Sequence, residues 1–123
     1  MTIQELNHVA VHVADVDKST AFYKAVLRLE LLPRPAFTFP GAWLRLGTNQ
    51  ELHLIGDRGN PVFSSNRGNH FALMVDDIDA WAAHLQNVGA NFAPKQRRPD
   101  GAWQIFLRDP DAHVIELFTP PAA

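Results

Sequence analysis

The chain repeats part of its own sequence, and this internal repeat restricts the fold more than any other feature. The segments that begin at His8 and His70 align without a gap, 62 positions apart. The aligned pairs are His8 with His70, Ala10 with Ala72, Val13 with Val75, Asp15 with Asp77 and Asp17 with Asp79. Similarity at a fixed offset indicates that both halves form the same supersecondary unit. We therefore predict two repeat units, at about 1–58 and 68–123, within a single domain 1–123.

Each half has the pattern of one strand, one helix and three further strands. Runs rich in apolar and β-branched residues predict the strands, and apolar residues at helical spacing predict the helices. In the first half the strands are expected at 6–13, 31–37, 43–47 and 51–55, with a helix at 18–29 that is capped by Asp15 or Asp17 and buries Ala21, Phe22, Ala25, Val26 and Leu29. In the second half they are expected at 69–75, 91–95, 102–108 and 113–119, with a helix at 78–88 stopped by Gly89.

The resulting order, βαβββ twice, predicts an α+β fold. Each sheet has one face covered by its helix, so its other face must also be buried. The simplest arrangement pairs two curved sheets around a shared cavity, with equivalent positions of the two halves facing each other.

A second match connects the ends of the two halves. Gly41-Ala42-Trp43 resembles Gly101-Ala102-Trp103, which makes the two tryptophans equivalent. Aligning the last strands of the two halves places His53 opposite Glu116, at an offset of 63. The Gly-Ala-Trp segments have an offset of 60, so the second half needs three extra residues, which we expect in the turn at 108–111.

Four residues that can bind a metal occupy repeat-equivalent strand positions: His8 with His70, and His53 with Glu116. Imidazole and carboxylate ligands suit a divalent transition metal. Glu116 lies between Ile115 and Leu117, where an unpaired buried carboxylate would be costly. Glu51, on the same strand face as His53, remains an alternative for the fourth ligand.

Composition excludes several classes of function. The chain has no cysteine, so disulfides and thiolate ligands are absent. Its net charge is −2 and it has no basic stripe, so we expect no nucleic-acid partner. We also see neither a signal peptide nor an apolar run of about 20 residues, so we expect a cytoplasmic protein with no membrane partner.

The segments 6–11, 69–77 and 109–118 carry a resemblance that covers nearly the whole chain. They are similar to the vicinal oxygen chelate superfamily, the glyoxalase, bleomycin resistance protein and extradiol dioxygenase family. The segment Asp109-Pro110-Asp111-Ala112 and the Glu116-Leu117 that follows resemble a family pattern that has glycine where Ala112 stands here.

The resemblance implies metal ligands at His8, His70 and Glu116, with a variable fourth ligand near His53 or Glu51. It implies a divalent ion (Zn, Ni, Mn or Fe) that binds two oxygens of a small-molecule substrate and stabilises enolate-like charge. We expect a lyase or isomerase with Glu116 as catalytic base, about one metal ion per chain, and a homodimer.

Three other activities stay open. One is an Fe(II) extradiol-type dioxygenase, although Tyr23 is the only tyrosine that could orient a phenol. Another is a small-molecule or antibiotic-binding resistance protein that performs no reaction. Thiol transfer is a minor option. The fold by itself does not select among them.

Overall fold

A computed structural model describes residues 1–122 and contains two four-stranded mixed sheets, each with one helix. The first compact unit ends at Asn60 and the second begins at Pro61. No helix among the described residues is long and apolar enough to cross a membrane. The predicted α+β class with two βαβββ modules is confirmed, whereas the grouping of both units into a single domain stays a prediction.

The first unit contains β1 (His8–His12), α1 (Val16–Ala25), β2 (Leu31–Leu32), β3 (Gly41–Leu46) and β4 (Gln50–Ile55). Its sheet has the order β1-β4-β3-β2, and β1 runs parallel to β4 while the other pairs are antiparallel.

The second unit contains β5 (Phe71–Met74), α2 (Ile78–Asn87), β6 (Gln96–Arg97), β7 (Trp103–Arg108) and β8 (Val114–Thr119). The order β5-β8-β7-β6, with β5 parallel to β8, repeats the topology of the first unit.

The register of the parallel strands agrees with the predicted repeat. Ala10 lies opposite His53 in the first sheet, and Ala72 lies opposite Glu116 in the second. His53 and Glu116 are therefore equivalent positions of the two units, as the alignment of the last strands predicted.

The proposed equivalence of the two tryptophans is wrong. Trp43 lies opposite His53, and the residue opposite Glu116 is Phe106, not Trp103. The offset rises only from 62 in β1 and β5 to 63 in β3 and β7, so the second unit has one extra residue, and that residue precedes β7 rather than lying in the turn at 108–111. The similarity of the two Gly-Ala-Trp segments is local: Gly41 is the first residue of a strand, whereas Gly101 lies outside the strand with a φ of 95°.

Both helices begin where an aspartate caps them. Asp15 accepts a hydrogen bond from the backbone of Lys18, and Asp77 accepts from Asp79 and Ala80, because a side-chain oxygen satisfies donors that have no partner inside the helix. Helix α2 ends at Asn87, just before Gly89 at a φ of 71°, close to the prediction.

Helix α1 differs from the prediction in length and in its buried face. It ends at Ala25 instead of residue 29, and Arg28 has a positive φ of 57°. Its buried residues are Ser19 and Tyr23, whereas Ala21 and Ala25 are exposed. The large ring of Tyr23 is completely buried in the core, and this packing decides which face of the short helix points inwards.

Two predicted strands are mostly absent. In 31–37 only Leu31 and Leu32 form a strand, because Pro33 and Pro35 have no backbone N–H for a ladder. In 91–95 only Phe92 forms an isolated bridge, to Leu107, and the short strand begins two residues after Pro94.

The core of each unit lies between its helix and one face of its sheet. Leu44, Leu52 and Leu54 are at most 1% exposed in the first unit, as are Ile105, Ile115 and Leu117 in the second. Burying each such side chain stabilises the fold by roughly 1.5–3 kcal/mol. Because strand side chains alternate, the predicted metal ligands on these strands occupy the sheet face away from the helix.

Candidate metal centre

The first unit brings His8 and His53 together on the adjacent strands β1 and β4. Their ring centroids lie 4.2 Å apart with an interplanar angle of 17°. The Trp43 ring stacks on His53 at 4.1 Å and 4°. Two nearly parallel neighbours at these distances occupy opposite faces of the His53 ring and so hold its orientation. We call His8 and His53 the His8–His53 pair.

Hydrogen bonds indicate which nitrogens of this pair carry a lone pair. Nδ1 of His8 donates to the side-chain oxygen of Asn7 at 2.9 Å, which leaves Nε2 as the free acceptor of the neutral ring. Nε2 of His53 donates to Oε1 of Glu51 at 2.8 Å, since an ionised carboxylate only accepts. Glu51 thus contacts His53 directly, and both remain positioned as candidates for the fourth ligand.

The second unit brings His70 and Glu116 together. Nε2 of His70 lies 3.2 Å from Oε1 of Glu116, whose side chain is buried although it is ionisable. Nε2 of Gln104 donates to the other carboxylate oxygen at 3.1 Å. The edge of the Phe106 ring packs on His70, with centroids 5.9 Å apart. We call His70 and Glu116 the His70–Glu116 pair.

The arrangement of His70 and Glu116 suits a cation. Nδ1 of His70 donates to the carbonyl oxygen of Gly68 at 3.2 Å, and a carbonyl can only accept. If the ring is neutral, Nε2 then carries a lone pair, and this nitrogen lies 3.2 Å from the carboxylate of Glu116. Two acceptors at this distance repel unless a proton or a cation lies between them. Neutral imidazole and carboxylate are ligands of a divalent transition metal, so the residues fit such an ion.

The four predicted ligands lie in these two pairs. Among residues 1–122, no three or more histidine, aspartate or glutamate side chains lie close enough together to hold one metal ion. Each unit provides two candidate ligands: two imidazoles in the first, and an imidazole with a carboxylate in the second. That one ion binds all four residues, within a chain or across a dimer, stays a prediction.

The other histidines have local structural contacts. Nε2 of His12 donates to the carbonyl of Gly56 at 2.8 Å. His84 packs edge-on against Trp81 in α2, with ring centroids 5.5 Å apart. The backbone N–H of His113 donates to the buried Asp109 in the turn before β8.

Sequence reasoning missed Gln104, which holds one oxygen of Glu116. Its only signal is position: it lies on the same strand face as Phe106, two residues away, and Phe106 lies opposite Glu116. That relation becomes visible only when the register of β7 and β8 is known.

A small cavity borders the second pair. It has a volume of about 350 Å³, is lined by Asn66, Asn91, Phe106 and Arg108 among others, and touches His70 through the Phe106 ring. A space of this size fits a small molecule and not a macromolecular segment.

Two βαβββ units of the same sheet topology, each with a pair of candidate metal ligands on the sheet face away from its helix, define a glyoxalase-like class of protein. The Glyoxalase/Bleomycin resistance protein/Dioxygenase superfamily model matches residues 5–117. The chain therefore belongs to this superfamily, which confirms the resemblance noted in the sequence.

Known relatives agree with this membership. The chain is similar to the metallothiol transferase FosB of Shouchella clausii, with 31% identity over 95% of this chain and 81% of the relative. It is also 31% identical to the lactoylglutathione lyase of Schizosaccharomyces pombe, over 95% of this chain and 48% of that protein. The crystal structure of a glyoxalase family protein from Bacillus anthracis superimposes with a TM-score of 0.83, at 27% identity over 98% of both chains.

Proposed function

We propose that this protein is a divalent-metal-dependent lyase or isomerase that acts on a small carbonyl substrate with two chelating oxygens, through an enolate-like intermediate. The observation that carries the proposal is the His70–Glu116 pair, in which Nε2 of His70 lies 3.2 Å from Oε1 of the buried Glu116 carboxylate. The His8–His53 pair supplies two further imidazoles, and His53 occupies the strand position equivalent to that of Glu116. Its similarity to a lyase supports an enzyme of this class.

His8, His53, His70 and Glu116 would hold the ion, with Glu51 as the alternative to His53. A bound divalent cation would draw electron density from both substrate oxygens and so make the C–H bond beside the carbonyl more acidic. The burial of Glu116 excludes water from its carboxylate, which strengthens every charge interaction there.

Glu116 is the group proposed to move the proton. Gln104 holds Oε2 by a hydrogen bond, which leaves Oε1, the atom beside His70, as the oxygen that changes partner. Oε1 accepts the proton from the carbon beside the carbonyl, and the C–H electron pair passes into the enolate. The same oxygen returns the proton to carbon, so no oxidant or reductant is consumed.

A ring-cleaving dioxygenase receives less support. Tyr23, the only tyrosine of the chain, is completely buried in the core of the first unit and cannot orient a phenolic substrate. Thiol transfer is the second candidate, because similarity to a metallothiol transferase extends over 95% of this chain.

The test begins with the metal. Calorimetric titration of metal-free protein with Zn, Ni, Mn and Fe(II) should show about one ion per chain. Metal-loaded protein is then incubated in D₂O with α-keto hemithioacetals, acyl-CoA thioesters and catechols, and with thiols and an epoxide. Deuterium at the carbon beside a carbonyl supports the proposal. Oxygen consumption would indicate the dioxygenase, and loss of free thiol would indicate the transferase.

Glu116→Gln tests the assigned base. It should keep the fold while abolishing deuterium exchange and weakening metal binding at least roughly 100-fold, since removing even an outer-shell partner commonly costs 10–100-fold. Glu30→Gln is the matched control, because Glu30 is exposed and its ion-pair partner at 3.4 Å, Arg45, is not a candidate ligand. Full exchange in Glu116→Gln, or no ion bound by the wild type, would contradict the proposal.

A further inference from the structure

The first unit exposes a group of aromatic side chains that its core does not use. Phe37 and Phe39 are 46% and 42% exposed, and their rings stack on each other with centroids 5.1 Å apart and an interplanar angle of 23°. Trp43 lies next to them, 6.1 Å from Phe37. We call Phe37, Phe39 and Trp43 the aromatic wall. Adjacent exposed aromatic rings usually mark a binding surface, because keeping them in water is unfavourable.

The aromatic wall is continuous with the candidate metal ligands. The Trp43 ring is parallel to that of His53 within 4° and stacks on it at 4.1 Å, and His53 in turn stacks on His8. An unbroken series of rings therefore leads from the exposed phenylalanines to the imidazoles of the His8–His53 pair. A molecule held at these imidazoles has the wall as its immediate apolar neighbour in this unit.

The wall is also held in place by its surroundings. The guanidinium of Arg34 lies 4.8 Å from the centre of the Phe37 ring and 5.0 Å from that of Phe39, and it donates to the carbonyl of Phe39 at 2.9 Å. Gly41 lets Arg34 lie against β3, since a Cβ at this position would be 2.9 Å from its guanidinium nitrogen and 2.5 Å from the carbonyl oxygen of Leu54. The rings thus form a prearranged surface, which lowers the entropy cost of binding.

We infer that the aromatic wall binds a planar aromatic group of the substrate, so that the substrate class is an aryl-substituted molecule with two chelating oxygens. This inference rests on the proposed function for the chelating end of the substrate. Aromatic rings prefer offset-stacked or edge-to-face contact with other rings, and such pairs are favourable beyond the burial of their area. The Phe37 ring is inclined by 23° to that of Phe39 and by 50° to that of Trp43, so the wall presents apolar rings in more than one orientation.

A set of hydroxamates tests the inference. Acetohydroxamate, cyclohexanecarbohydroxamate, benzohydroxamate and 2-naphthohydroxamate share one oxygen-chelating group and differ in the attached apolar part. On zinc-loaded protein, benzohydroxamate should bind roughly 10-fold more tightly than acetohydroxamate, and 2-naphthohydroxamate more tightly again. Cyclohexanecarbohydroxamate, which is apolar but not planar, should bind several-fold more weakly than benzohydroxamate.

Variants locate the effect. Phe37→Ala and Phe39→Leu should each reduce the advantage of the aryl hydroxamates at least 3-fold and leave acetohydroxamate binding unchanged. Phe39→Leu keeps an apolar side chain and removes only the ring. Phe63→Ala is the control, because Phe63 is 80% exposed in the other unit and is absent from the wall.

The two proposals fail in different ways. If acetohydroxamate does not bind to metal-treated protein, the metal-dependent function fails, and the wall is then judged by ¹H NMR of 2-naphthohydroxamate with metal-free protein and Phe37→Ala. If acetohydroxamate binds but the aryl compounds gain nothing, the wall inference is overturned. The wall inference is also overturned if the sedimentation coefficient shows a dimer for the wild type and a monomer for Phe37→Ala. That result would show that a second copy of the chain covers the wall.

Discussion

The turn between β7 and β8 contains Ala112 with a positive φ of 71°, a backbone region that favours glycine. Two hydrogen bonds hold this conformation: the Ala112 N–H donates to the backbone carbonyl of Asp109 at 2.9 Å, and the Ala112 carbonyl accepts from the guanidinium of Arg108 at 2.9 Å. The carboxylate of Asp109 further accepts from the backbones of Asp111 and His113. The turn therefore cannot relax, and Ala112 must adopt a backbone region that disfavours a Cβ atom.

Ala112→Gly should stabilise the protein. A left-handed conformation costs a non-glycine residue roughly 1–2 kcal/mol, and glycine adds roughly 0.4–1 kcal/mol of entropy to the unfolded chain. The Ala112 side chain is exposed, so removing its methyl group loses no packing. The expected net gain is roughly 0.5–1 kcal/mol, which corresponds to about 2–4 °C in Tm for a domain of this size.

Thermal unfolding followed by circular dichroism measures the change, with Gly89→Ala as the matched reverse substitution. Gly89 has the same φ of 71°, and a Cβ there would meet no other atom within 4 Å. Gly89→Ala should therefore lower the Tm by a similar amount, because the only change is the cost of placing a Cβ atom at a positive φ. An unchanged or lower Tm in Ala112→Gly, together with the expected loss in Gly89→Ala, would refute the reasoning about the turn.

Two further predictions concern the fourth ligand and an acidic titration. His53→Ala should weaken metal binding in calorimetric titration about 10-fold more than Glu51→Ala, because Glu51 then only orients the ring; the reverse order would make Glu51 the ligand. The hydrogen bond from Arg98, followed by that from the backbone of Ala102, lowers the pKa of Asp100 to about 2 from its ordinary value of 3.8. Since the folded-state pKa is lowered, the stabilising contribution of this pair is present above pH 3.8 and disappears as the pH falls through 2. Carboxyl NMR should show this titration, Arg98→Met should return it towards 3.8, and an ordinary pKa in the wild type would contradict the pairing.

Local signals in the chain predicted where most elements lie. The caps Asp15 and Asp77 and the stop at Gly89 act through neighbouring backbone groups, so they are readable without tertiary information. The face of α1 was not readable in this way. Ala21 and Tyr23 are both apolar enough to be buried, and only docking on the sheet selected Tyr23.

The candidate ligands show the same division. Repeat symmetry predicted His8, His53, His70 and Glu116 as candidates, since each pair of equivalent positions carries residues that can bind a metal. It did not reveal the contact of His53 with Glu51, which joins residues on the same face of β4. Nor did it reveal the stacking with Trp43, whose counterpart in the second unit is Phe106.

The sequence by itself determined the two βαβββ units, the alternation of polar and apolar residues along their strands, and the residue types available to a metal. These follow from periodicity, capping and repetition, which act over short distances along the chain. Only the tertiary structure decided the register of β7 against β8, the burial of Glu116 and its hydrogen bond from Gln104. The exposure of Phe37 and Phe39 was likewise decided there. Several arrangements of these strands and helices satisfy the local sequence pattern equally well. One of them is selected by the pairing of distant strands and by packing against a helix, which the pattern along the chain does not specify.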